Sequence, residues 1–151
     1  MRSHGKENTI TIHAMTKNTE YLGNEGYALM GAAFEVYKEM GAGMSEEIYQ
    51  ESLEMELRDR GIPFSAQQTL KVYYKGRELK KRYVPDLITH DSIIVELKAV
   101  KTILPEHEQQ LLNYMHVTRR AVGYLINFST PKSVEWKRYI LKEYIPSTDQ
   151  T

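Results

Sequence analysis

The segment Ile93-Ile94-Val95-Glu96-Leu97-Lys98 reads as a buried strand that carries two charges. Side chains alternate across a sheet, so Glu96 and Lys98 share one face, roughly 7 Å apart at about 3.3 Å per residue, while Val95 and Leu97 face apolar packing on the other. A solvated face, or an ion pair between sheet and loop, would account for that strand alone. Asp86 weighs towards chemistry. The turn Thr89-His90-Asp91-Ser92 folds the preceding strand back alongside, which places Asp86 beside Glu96. Two neighbouring carboxylates repel unless a cation lies between them. Asp86, Glu96 and the backbone carbonyl of Leu97, completed by water and phosphate, are oxygen donors that suit Mg²⁺, with Mn²⁺ as a substitute, better than zinc. Lys98 next to such an ion could orient or deprotonate a water and stabilise charge on a phosphoryl group. That combination hydrolyses phosphodiesters.

Two helical features could contribute. Glu46 lies in the first turn of a helix that starts at Ser45, where the helix dipole favours any acid, so by itself it needs no further role. In a later helix His107, Gln110, Leu111 and Tyr114 fall on one face, at the three- and four-residue spacing of neighbours. They either border a site and touch substrate or, in the case of Tyr114, half-bury in the core. Lys101, Arg119 and Arg120 are candidates for holding a phosphate backbone. Other chemistries find no support. There are no cysteines, which excludes Cys-ligated zinc, iron–sulfur clusters and thiol catalysis. No Walker-type phosphate loop, dinucleotide fingerprint, metalloprotease spacing or nucleophile elbow is present.

The elements that must position these residues follow from periodicity. Leu29, Ala32, Ala33, Val36 and Met40 mark an amphipathic helix over 24–40, ended by Gly41 and Gly43. Ile48, Tyr49, Leu53 and Leu57 mark a second, stopped by Gly61-Ile62-Pro63. From Thr69 the period becomes two, with a turn at Lys75-Gly76-Arg77 and a return strand expected from Glu78 to Ile88. After the charged strand, Pro105 opens a helix that runs to about Val117. Ala121 to Phe128 reads as a buried strand, and Ser133 to Tyr144 as a closing helix. The order ααβββαβ(α) implies an α/β fold with a mixed sheet flanked by helices on both faces.

With 151 residues, 41% hydrophobic and 26% charged, the chain suits one globular domain, expected over 19–145, with a polar extension over 1–18 and a tail over 146–151. The longest apolar run, 28–34, is far short of a membrane span. The polar N-terminal stretch has no signal-like hydrophobic region, and together with the missing cysteines this suggests a cytoplasmic protein. Net charge is zero but uneven: six basic against eleven acidic residues up to Ser65, then fourteen against nine. A polarised chain can present a cationic face to a polyanion.

Taken together, Gly43-x-x-Glu46-x-x-Tyr49, Pro85-Asp86, Glu96-Leu97-Lys98 and Gln110-Leu111-Leu112-Asn113-Tyr114 resemble the GxxExxY proteins of the PD-(D/E)XK nuclease superfamily. The resemblance covers about 24–128. It implies a restriction-endonuclease-like αβββαβ core in which Asp86 and Glu96 hold the metal, Lys98 serves the nucleophilic water, and Glu46 joins the metal shell. Gln110 and Tyr114 would form the additional motif of exonuclease-like branches. Tyr37 stands where many members carry His, and Ser129-Thr130-Pro131-Lys132 replaces a Gly-containing pattern. The expected function is a metal-dependent nuclease acting on nucleic acid, DNA before RNA. The alternative is a nuclease-like module that binds nucleic acid or a protein without useful catalysis. An enzyme this small that cuts both strands could act as a homodimer.

Overall fold

The computed structural model describes residues 20–147; the expected extension over 1–18 and the last four residues of the tail lie outside them. Helix α1 spans Gly23–Met40 and α2 Glu46–Asp59. Strands follow at β1 Phe64–Ala66, β2 Leu70–Tyr74, β3 Arg77–Tyr83, β4 Leu87–Thr89 and β5 Ile93–Lys98, then α3 Pro105–Thr118, β6 Val122–Asn127, β7 Glu135–Ile140 and a 3-10 turn at Lys142–Tyr144. Five strands form one sheet in the order β1-β4-β5-β6-β7, and β2 with β3 makes a separate two-stranded ribbon. Only β5 and β6 run parallel, joined by the crossover helix α3; the other pairings are antiparallel. The sheet is mixed and covered by helices on both faces, the α/β arrangement expected.

Alternation sorts the core into two layers. Leu87, Ile93, Val95, Leu97, Tyr124 and Ile126 pack under α1 and α2. Ile88, Ile94, Leu125 and Tyr139 pack on the other side under Leu111 and Met115 of α3, joined by Leu70, Val72 and Tyr83 of the ribbon. Because both faces are covered, the central strands are apolar almost throughout, as buried strands are. Among the described residues no helix is long and apolar enough to cross a membrane.

Three expectations change. The closing helix is β7, antiparallel to β6. Trp136 and Ile140 are four apart and mimic a helical step, but Trp136 and Ile140 join the core under α1 and α2 while Tyr139 joins the other; both sets are shielded and the period of two is masked. The return strand is two strands. Pro85 has no N–H for a ladder, so β3 stops at Tyr83, in the ribbon, and β4 starts at Leu87, in the main sheet. Finally, Ile48 is 42% exposed, whereas Tyr49, Leu53 and Leu57 are fully buried: adjacent residues of a helix point about 100° apart, and the buried stripe runs through Tyr49.

The sheet also leans on α1 at Gly26, where a Cβ would strike the hydroxyl and ring of Tyr124. That ring is held by stacking on Trp136 with centroids 6.0 Å apart and cannot swing away. Gly26→Ala is expected to lower stability by about 1–3 kcal/mol, read as a lower urea midpoint, despite the roughly 1 kcal/mol that Ala gains over Gly within a helix. Adding Tyr124→Phe should recover part of the loss, since it removes the atom struck first.

Candidate active site

The β4–β5 hairpin turns at His90 and Asp91, both at positive φ (54° and 57°), and Ser92 N–H donates to the Thr89 carbonyl at 3.0 Å. Its register pairs Thr89 with Ile93 and Leu87 with Val95. Extended by one step, it sets Asp86 opposite Glu96, and by two it sets Leu97 opposite Pro85. The second relation matters as much as the first. Lys98 gives its carbonyl to Phe128 N–H on the β6 side at 3.0 Å, so Leu97, the next residue back, turns its N–H and carbonyl towards β4. The residue facing it there is a proline, which has no N–H to donate. Asp86 Oδ2 accepts the Leu97 N–H at 2.7 Å, while the Leu97 carbonyl is left without its ladder donor. One backbone oxygen is thereby available at the end of the sheet, where the Asp86 carboxylate also meets the Glu96 carboxyl in a hydrogen bond.

Glu96 lies beside them. Burial, then the neighbouring Asp86 carboxylate, push its carboxyl up to about 8, against the pull of the Tyr83 hydrogen bond and of Lys98. The Tyr83 hydroxyl donates to Glu96 Oε2, and burial followed by the Glu96 charge holds that phenol far above its ordinary value. Tyr83 in turn stacks flat on Tyr114, with centroids 3.9 Å apart and planes within 7°. Gln50, one turn after Glu46 on α2, donates its amide to the Asp86 carbonyl and to Glu54 Oε2, both at 2.9 Å. Asp86 is thus fixed by its backbone from one side and by its carboxylate from the other.

Glu46 approaches from the N-terminus of α2. Partial burial and then Asp86 raise its carboxyl, while Lys98, the Ala99 N–H and His107 pull it down; it belongs to the same electrostatic neighbourhood. Its placement explains the spacing of the first motif. Gly43 has φ 99°, which favours glycine. Tyr49 stacks on Phe128 at 4.7 Å, donates its hydroxyl to the Gly41 carbonyl at 2.5 Å and accepts from Met44 N–H at 3.1 Å. The loop between α1 and α2 is pinned, and Glu46 follows it. The Tyr37 hydroxyl donates to the Thr130 carbonyl at 2.5 Å, which ties α1 to the segment after β6.

A cleft of about 380 Å³ opens over this end of β5, between α3 and the ribbon. Glu96, Lys98, His107, Gln110, Leu111 and Tyr114 line it, together with Lys81, Arg82, Tyr83 and Val84. His107 Nδ1 also accepts the Leu104 N–H at 3.0 Å, capping α3. Asp86 and Glu46 are not among the residues that line it. Lys101 is exposed in the loop after β5. Arg119 and Arg120 do not join: Arg119 lies over the Tyr73 ring at 4.7 Å, and Arg120 donates to the Asp91 carbonyl at 3.1 Å. They stand at the beginning of β5 and β6, some 16 Å along the strand from Lys98 at about 3.3 Å per residue, because α3 runs back down the sheet before β6 starts. Lys81 and Arg82 are the cations at the cleft instead. Tyr83, Gln50 and these two were not singled out by sequence. The run Lys80-Lys81-Arg82, three residues before Pro85-Asp86, was the available signal, whereas Tyr83 and Gln50 needed the register.

The donor set offers hard oxygens only: Asp86, Glu96 and the Leu97 carbonyl, with Glu46 nearby. That chemistry fits Mg²⁺ or Mn²⁺, which are held by one or two carboxylates and keep several waters. Among the described residues no group of three or more His, Asp or Glu side chains is gathered as a ligand cage. Without a cation the Glu96 proton carries a stability signature. The folded carboxyl titrates near 8 and the unfolded one near 4.5, so the contribution is complete below about 4.5 and is lost as pH rises towards 8. In EDTA, urea unfolding should show wild-type protein losing stability over that interval relative to Glu96→Gln; parallel pH profiles would contradict the assignment.

The comparisons with known proteins bear on the fold and the family. The crystal structure of SSO0001 is similar at a TM-score of 0.50 and 21% identity, over 62% of this chain and 48% of that one. This chain spans about half the length of that protein, and at such identity the likeness speaks for the fold. No curated protein matches. A family model described as the PD-(D/E)XK nuclease superfamily matches residues 24–139, a span that contains β5, the Pro85-Asp86 break, α3 and the sheet between them. On that match, the restriction-endonuclease-like chain belongs to the PD-(D/E)XK nuclease superfamily.

Proposed function

We propose that the protein is a divalent-metal-dependent nuclease that hydrolyses phosphodiester bonds of DNA, and that within its superfamily it falls among the GxxExxY proteins. The observation that supports this most is the meeting of Asp86, Glu96 and Lys98 at one strand end, beneath a cleft open enough for a phosphodiester. Asp86, Glu96 and the Leu97 carbonyl would hold Mg²⁺ or Mn²⁺, with Glu46 joining them directly or through water. When bound, the ion polarises the phosphate and offsets its charge. Lys98 donates a hydrogen bond to the attacking water and places an ammonium where negative charge grows on the non-bridging oxygens. A water oxygen bonds to phosphorus as the bond to the leaving sugar oxygen breaks; the attacking water gives up a proton to solvent, and the departing sugar oxygen takes one up from solvent. Gln110 and His107 steady the flanking phosphate. Tyr114 acts from behind, as the ring that holds Tyr83 against Glu96.

Lys98→Ala should reduce Mg²⁺- or Mn²⁺-dependent cleavage about 100-fold or more while the protein still unfolds cooperatively, since Lys98 is only partly buried at the end of β5. Robust cleavage by that variant removes Lys98 from the mechanism. Asp86→Asn is the sharper probe of the ion. Its amide oxygen still accepts the Leu97 N–H, so the fold should survive while calorimetric Mg²⁺ binding disappears. The competing reading, a module that binds without cutting, predicts no Mg²⁺ binding by the wild type even with a DNA fragment present.

A further inference from the structure

We propose that the β2–β3 ribbon is a grip for duplex DNA, its exposed cations following the phosphates of a B-form helix that lies across the cleft. The inference rests on the nuclease reading of that cleft. The ribbon is not needed to close the sheet: β1 and β4 pair directly, Phe64 with Thr89 and Ala66 with Leu87, and the intervening chain leaves the sheet altogether. Its base is anchored, since Leu70, Val72 and Tyr83 are buried against α3. Its tip is tight, with Lys75 and Gly76 at positive φ (49° and 75°) between the paired Tyr74 and Arg77. Every residue of β3 before Tyr83 is exposed. This is a stiff arm with a polar surface.

Its charge is unlike that of the rest of the chain. Lys71, Lys75, Arg77, Lys80, Lys81 and Arg82 face a single acid, Glu78, which gives the ribbon the whole basic excess found after Ser65 in a chain of net charge zero. Glu78 takes Arg82 at 2.6 Å and Lys71 at 3.8 Å. Lys75, Arg77, Lys80 and Lys81 have no carboxylate partner among the described residues. Like charges crowded on one exposed strand repel, and a polyanion relieves that repulsion. Lys81 and Arg82 carry the same strand into the cleft wall, so one polymer can touch both.

Duplex DNA fits better than other nucleic acids. A two-stranded ribbon enters a B-form major groove about 12 Å wide, whereas the major groove of A-form RNA is too narrow. On one face of β3 Lys80 and Arg82 lie about 6.6 Å apart and on the other Arg77 and Lys81 about 13 Å apart, close to two and four axial phosphate steps of roughly 3.4 Å. Single strands call for open aromatic platforms. Here Tyr73 is covered by Arg119 and Tyr83 by Tyr114, which leaves Tyr74 at the tip.

The test is fluorescence anisotropy with a duplex of about 20 base pairs in EDTA, where nothing is cut, over a range of salt. Lys75→Gln, Arg77→Gln and Lys80→Gln, none of which lines the cleft, are compared with wild type singly and together. Each single change should lower the slope of log Kd against log salt by about 0.9, and the triple change by about 2–3, with at least a tenfold loss of affinity near physiological salt. An unchanged slope overturns the proposal, as does wild-type binding of single-stranded DNA or duplex RNA as tight as that of duplex DNA. Turnover of bis(p-nitrophenyl) phosphate with Mn²⁺ reads the cleft separately and should be equal in all these proteins. Loss of duplex binding in the variants with no diester turnover by any protein supports the ribbon and removes the nuclease reading alone.

Discussion

The site depends on a backbone amide whose partner is a side chain. Where Pro85 ends the β4 ladder, Leu97 N–H would face a chain that has left the sheet, and Asp86 Oδ2 takes it at 2.7 Å. A buried N–H without an acceptor is costly, so this bond holds the end of β5 in place and holds Asp86 to it. The same proline withholds the N–H that would have occupied the Leu97 carbonyl. One residue therefore creates both a need, met by Asp86, and a vacancy, suited to a cation. Glu96 then inherits an environment of low polarity and a second carboxylate across the strand gap, which is why its proton is held so tightly.

Around that point the molecule separates support from contact. On one side of the sheet, α1 and α2 supply most of the apolar core, and the pinned α1–α2 loop delivers Glu46 to the end of β5. On the other, α3 and the ribbon leave a cleft between them. The loop from β5 to α3 is tied down by Asn127, fully buried, which binds the Val100 N–H and carbonyl at 3.0 and 2.9 Å and Glu135 at 3.0 Å; Glu135 also accepts the Ile103 N–H at 3.0 Å. Lys98 thus lies between two fixed points, Asp86 before it and Asn127 beside it. A site built on strand ends keeps its geometry better than one built on loops.

Charge follows the same division. A neutral chain would attract a polyanion only weakly as a whole, but its cations are concentrated on the ribbon and its acids on the helices of the opposite layer. Nucleic acid would meet the basic surface next to the chemistry and a more acidic surface elsewhere. Arg119 and Arg120 show how little sequence proximity means here: close in number to Tyr114, they lie at the far end of the sheet because a helix of fourteen residues carries the chain about 20 Å at 1.5 Å per residue.

Local patterns were enough to predict much of this molecule. The alternation in 93–98, the turn at His90-Asp91, the helix opened by Pro105 and the glycines after Met40 each follow from short-range sterics and periodicity, and these specified Asp86, Glu96 and Lys98 as neighbours. Other features depended on what covers a strand or faces it. β7 looked helical because both its faces are buried, and only packing against β6 and α3 resolves that. The break at Pro85 became a change of sheet because β4 found β1 and β5 as partners. Tyr83, Gln50 and the cations of the cleft wall acquired their places from register and from the folding back of the ribbon, contacts between residues that are distant in sequence and that no window of neighbouring residues can contain.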